Sequence, residues 1–151
     1  MFADVVVACT SLHHTHDLAA VFEHIASALQ PDGLLVVIEW DWQRFDEHTA
    51  GWCFDRLSPT ADPSWLQRHR DRWRASGQPW QSHLETWADR GGLHTGASIL
   101  DALVQRFVVQ RVSYGPYFYS DLVDTSLDTE TAAIAAGALQ ATGIHVTATK
   151  R

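Results

Sequence analysis

Residues 4–39 read DVVVACTSLHHTHDLAAVFEHIASALQPDGLLVVIE, two apolar runs on either side of one amphipathic segment. Val5, Val6 and Val7 form the first run, and Leu34, Leu35, Val36, Val37 and Ile38 the second. Both are continuous, largely β-branched and without alternation, the pattern of strands buried on both faces in a parallel sheet. Between them Asp17 is placed to cap a helix. Its Leu18, Val21, Phe22, Ile25 and Leu29 recur on one face, and Pro31, Asp32 and Gly33 supply the stop signal. The product is a βαβ unit with an expected right-handed crossover.

In open α/β sheets ligands bind outside the carboxyl ends of the strands. The segment Cys9, Thr10, Ser11, Leu12, His13, His14 follows the first run, and Glu39, Trp40, Asp41, Trp42 follows the second. If the strands are parallel neighbours, both segments share one rim. That rim holds imidazoles, carboxylates, hydroxyls and indoles, enough for a general base and an aromatic wall around a small organic ligand. His13 and His14 are the candidate bases, since imidazole titrates near neutral pH; the alternative is two loop residues satisfied by the backbone. Trp40 and Trp42 flank Asp41 at period 2, which suits either a pocket wall or a continued strand. Cys9 is expected to pack as a small apolar group.

Downstream, residues 43–93 change texture to Trp, His and Arg on short helical patterns broken by Pro and Gly, and read as a helical insertion or lid. A helix is expected at 95–106 with Ile99, Leu100 and Leu103 inward, then a strand at 107–114, a helix at 130–142 and a last strand at 144–148. Within the insertion Trp65, His69 and Trp73 form a stripe. Arg68 and Arg72 lie along one neighbouring line, and Arg70 and Arg74 along another. This is an amphipathic lid helix with a solvated face, or a lid whose arginines attract an anionic acceptor. Tyr114, Tyr117 and Tyr119 around Gly115 and Pro116 are expected to finish a strand.

The chain has 151 residues, 46% hydrophobic and 19% charged, the balance of one globular domain. A net charge of −7 disfavours nucleic-acid and anionic-membrane partners. Its two cysteines, Cys9 and Cys53, form no disulfide framework, and a reducing cytoplasm is the expected compartment. The apolar runs are far shorter than the ~20 residues of a membrane span. His13, His14 and His16 lack the spacing of a metal motif, so no metal is expected.

On these residues the stretch 4–39 resembles the class I S-adenosylmethionine-dependent methyltransferases of the small-molecule type. In that family the fourth strand runs into a short Ser-Leu-His-His or Ala-Leu-His-His loop, then Asp and a helix, Leu-x-Pro-Gly-Gly, and an apolar fifth strand. Ser11-Leu12-His13-His14, Asp17 and Leu29-Gln30-Pro31-Asp32-Gly33-Leu34 take those places, with Asp32 where Gly is commoner. The tail, two strands separated by a helix, looks like the sixth and seventh strands. The resemblance implies an α/β fold, the C-terminal half of a Rossmann-like sheet, as a single domain over 1–151. It implies methyl transfer from S-adenosylmethionine to a small-molecule acceptor. Cys9, Thr10 and Ser11 would lie against the methionine part of the cofactor, chiefly through backbone atoms. His13 or His14 would be the base, and Trp40, Asp41 and Trp42 the acceptor wall.

The glycine-rich loop, the acidic residue that holds the ribose and the adenine segment of that family fall before residue 1 in this comparison, so independent cofactor affinity is expected to be poor. The same comparison leaves the outer edge of the strand at 4–8 bare. An apolar edge invites pairing, and a homodimer through it is expected. The rival reading is a non-catalytic assembly module that presents the Trp and Arg of residues 43–93 as an interface.

Overall fold

The computed structural model describes residues 2–59 and 62–151; Met1 and positions 60 and 61 of the expected insertion lie outside them. The elements run β1 (Ala3–Cys9), α1 (Leu18–Ala28), β2 (Leu29–Trp40), α2 (Glu47–Phe54), α3 (Trp65–Ser76), α4 (Trp80–Gly91), α5 (Gly96–Leu103), β3 (Phe107–Gly115), α6 (Leu127–Ala135) and β4 (Gly143–Lys150). They form two compact units. A sheet unit takes Met1–Gln43, Gly91–Gly115 and Gly143–Arg151, and a helical unit takes Arg44–Arg90 and Pro116–Thr142.

The sheet has the order β1-β2-β4-β3. β1 and β2 are parallel, with Val7 opposite Val36 and Cys9 opposite Ile38, so the expected βαβ unit is present. β4 runs antiparallel to both β2 and β3. The Asp17 carboxylate accepts from Ala20 N–H and starts α1, as its position predicts. The helix stops earlier than the Pro-Asp-Gly signal suggests. Leu29 is already extended, because the residue before a proline, here Gln30, is disfavoured in the helical region. Pro31, Asp32 and Gly33 therefore belong to β2.

Leu18 and Phe22 of α1 and Ile99 and Leu103 of α5 pack with Ala8, Leu35, Val37, Phe107, Val146 and Ala148 in one core. These strand residues alternate, so one face of the sheet is covered. The other face carries Val5 and Val7, 50% and 58% exposed, beside half-buried Leu34, Val36 and Ile38. The unbroken apolar runs predict burial on both faces, and among the described residues the second face is not fully covered. Cys9 falls on that second face and is exposed, not packed as an apolar group.

The helical unit is held by aromatic rings. Trp80 meets Phe45 at 5.1 Å, Phe54 at 5.6 Å and Trp73 at 5.1 Å between centroids, and its indole N–H donates to Phe45 O at 2.6 Å. α3 opens with a capping box between Ser64 and Gln67. α6 starts at Leu127, earlier than expected, because Ser126 caps it through Thr129 N–H; it ends at Ala135, before Gly137 at φ +75°. The buried carboxylate of Glu130 accepts from the N–H groups of Tyr117, Phe118 and Tyr119, which fixes the turn after β3. No helix of the described residues is long and apolar enough to cross a membrane.

Candidate functional site

β1 leaves the sheet at Thr10, whose φ of 47° turns the chain sharply into the segment 10–15. Thr10 N–H donates to Ile38 O at 2.7 Å, tying the end of β1 to the end of β2. Leu12–His14 then forms one turn of 3-10 helix. Glu39, fully buried at the end of β2, holds that turn. One of its carboxylate oxygens accepts from Ser11 N–H at 2.6 Å and from Leu12 N–H, and the other accepts from His13 Nδ1–H at 2.5 Å.

Burial raises the Glu39 pKa, and the His13 hydrogen bond and charge, with the N–H groups of Leu12 and Trp40, outweigh it. The net direction is below the usual carboxylate range. An ionised Glu39 accepts from His13 Nδ1–H and so orients the ring. His13 is 5% exposed. His14 is exposed, with its ring 4.1 Å from that of His13. Partial burial first, then the neighbouring His13, lowers the His14 pKa against an opposing pull from Glu39, so His14 is neutral near pH 7.

His94 is a residue the linear pattern does not single out. Its N–H donates to His13 O at 3.0 Å, its Nε2–H to Thr15 O at 2.9 Å, and its own carbonyl accepts from Trp42 Nε1–H at 3.2 Å. It straps the 12–15 turn to the segment before α5. Thr95 caps α5 through Ser98 N–H, and Asp41 accepts from Gly96 N–H at 3.2 Å. A β-carbon at Gly96 would stand 2.7 Å from Asp41 Cγ, so only glycine fits.

The structure thus brings His13, His14, Cys9, Thr10 and Ser11 to one rim, with Glu39 beneath. Trp40, Asp41 and Trp42 lie in the same neighbourhood but are buried, and Asp41 and Trp42 are each engaged by the hydrogen bonds above. Among the described residues no group of three or more His, Cys, Asp or Glu is placed to hold a metal.

A four-stranded sheet with a parallel pair, an antiparallel last strand inserted beside it and a sharp, exposed loop after β1 defines a Rossmann-like α/β protein of the methyltransferase type. The family profile described as methyltransferase domain matches residues 2–102, and the chain belongs to that family. Its fold is similar to an S-adenosylmethionine-dependent methyltransferase from Mesorhizobium loti, at 17% identity and TM-score 0.50, over 98% of this chain and 62% of that one. It is also similar to a Listeria monocytogenes chain assigned to the same class, at 12% identity and TM-score 0.50, over 99% of this chain and 62% of that one. The chain spans 62% of the length of each. No curated protein sequence matches it.

S-adenosylmethionine is the cofactor of that class, and the rim fits one end of it. The N–H groups of Thr10, Ser11 and Leu12 are all taken by Ile38 and Glu39, while the side chains of Cys9, Thr10 and Ser11 are exposed. What the rim offers is therefore chiefly acceptors, carbonyls and hydroxyls, which suit an ammonium group better than a carboxylate.

Proposed function

We propose that this chain carries the acceptor-facing rim of an S-adenosylmethionine-dependent methyltransferase acting on a small molecule. The observation that supports the reading most is the Glu39–His13 pair beneath the exposed loop at residues 9–14. The cofactor supplies an electrophilic methyl group when bound. Cys9, Thr10 and Ser11 orient the ammonium end of its methionine part. His14, exposed and neutral, removes the proton from the acceptor's nucleophilic atom. His13 is a positioning residue, locked by Glu39 and His94 so that the His14 ring keeps its place on the rim. Trp40, Asp41 and Trp42 back the acceptor side of the rim from inside the packing. The glycine-rich, ribose-binding and adenine-binding segments come from outside residues 1–151, and full turnover requires them.

A calorimetric titration with S-adenosylhomocysteine tests this reading. Saturable one-to-one binding supports a usable cofactor rim, and absence of heat from folded protein at millimolar ligand overturns it.

The assembly reading rests on a different observation. Among the described residues β1 pairs only with β2, leaving its outer edge open beside exposed Val5 and Val7. We infer that two copies pair through this edge. Sedimentation tests it: a dimer that grows with concentration supports the pairing, and a clean monomer at high concentration contradicts it.

A further inference from the structure

In the helical unit a cavity of about 110 Å³ is lined by Trp65, Arg68, His69, Arg72 and Trp87. Arg68 and Arg72 stand one helical turn apart on α3, where like charges repel. Among the described residues neither has a carboxylate within ion-pair distance; the neighbouring Arg70 pairs with Asp71, whereas Arg68 donates to a backbone carbonyl, Pro63 O. In a chain of net charge −7 this is a local excess of positive charge without its counter-ion.

His69 lines the same cavity. It is 3% exposed, and its Nδ1 faces His83 Nε2 at 3.2 Å. Among the described residues its Nε2 is buried without a hydrogen-bond partner. Burial, then the charges of His83 and Arg72, lower its pKa to about 4, so the ring is neutral near pH 7. The cavity has two guanidinium forks, with indoles on its walls. Guanidinium forks match the two oxygens of a carboxylate, indole faces suit a flat apolar body, and the volume is below the usual range for drug-sized ligands.

We propose that this cavity binds a small carboxylate with a planar body, held by Arg68 and Arg72 beside the indoles of Trp65 and Trp87. The site lies within the helical unit and stands whether or not the sheet unit transfers methyl groups.

Titrating ¹⁵N-labelled protein with benzoate, and reading the Trp65 and Trp87 indole resonances, tests it. The expected result is a saturable shift at both. R72Q and R68Q should each weaken it about tenfold, and R74Q, an equal charge change outside the cavity, should leave it within about twofold. Both Arg68 and Arg72 are exposed, so the variants should fold. No saturable shift, or equal weakening by R72Q and R74Q, overturns the site. Tighter saturation by inorganic phosphate than by benzoate overturns the carboxylate assignment.

Discussion

The Nδ1 of His13 and the carboxylate of Glu39, 26 positions apart in the chain, meet at 2.5 Å in the interior beneath the exposed loop. One carboxylate thereby orients the ring and fixes the path of the backbone, since Glu39 also accepts from Ser11 and Leu12. Replacing it with glutamine removes the charge opposite His13. E39Q should lower stability by about 3 kcal/mol, the cost of breaking a buried pair, measured by urea unfolding. A loss below about 1 kcal/mol would mean that the pair does not hold the loop.

The same carboxylate sets an acid limit. Its folded pKa is depressed, so its contribution is fully present above the ordinary carboxylate value and is lost as pH falls through the lower folded value. Unfolding midpoints followed downward from about pH 4 should drop more steeply in the native protein than in E39Q. Equal slopes would contradict the assignment.

His69 gives a second pH window. With a folded pKa of about 4 against 6.5 for a free imidazole, the unfolded chain takes up a proton first as pH falls. Stability should therefore decline between pH 6.5 and 4 by up to about 3 kcal/mol. H69L should flatten that decline, and an unchanged slope in H69L would place its origin elsewhere.

At the start of α5, Gly96 lies against Asp41 because a β-carbon would come within 2.7 Å of its carboxyl carbon. G96A should cost about 1–3 kcal/mol through overpacking. D41A alone also destabilises, by leaving the Gly96 N–H without its acceptor, yet the double variant should be less damaged than the sum of the two. Strict additivity would show that the two side chains do not compete for the space.

The two rim histidines should separate stability from turnover. H14Q changes an exposed ring and should shift stability by less than about 0.5 kcal/mol, while slowing methyl transfer, in protein completed by the cofactor-binding segments, roughly a hundredfold at an acceptor that must lose a proton. H13Q should do the reverse in part, costing stability first. Unchanged turnover in H14Q would remove the base assignment.

Local pattern carried much of the sheet unit. Asp17 capping, the α1 stripe and the two apolar runs depend on near neighbours, and residues 4–39 fold as those neighbours dictate. The stop of α1 was misplaced because Pro31 acts on the residue before it, and Leu29 extends into β2. Non-alternating runs imply two buried faces, but they are silent on what covers each, and Val5 and Val7 stand exposed.

The site was legible as a rim and not as a set of contacts. His13, His14 and Ser11 were visible from their place after a strand. The role of Glu39 depends on parallel register, and that of His94 on contacts spanning 79 positions to Thr15, so neither carries a short-range signal. Period 2 at Trp40 and Trp42 could not distinguish a pocket wall from buried packing. The pairing of residues 116–142 with 44–90 likewise arises from contacts such as Arg44 with Ala141, far apart in sequence.

The most direct test of the central claim is amide chemical-shift mapping of the ¹⁵N-labelled chain during titration with S-adenosylhomocysteine. Saturable shifts concentrated at Cys9, Thr10, Ser11 and His14 are the predicted result. A folded chain whose shifts fall elsewhere, or whose residues 9–14 stay unmoved at millimolar ligand, would contradict it.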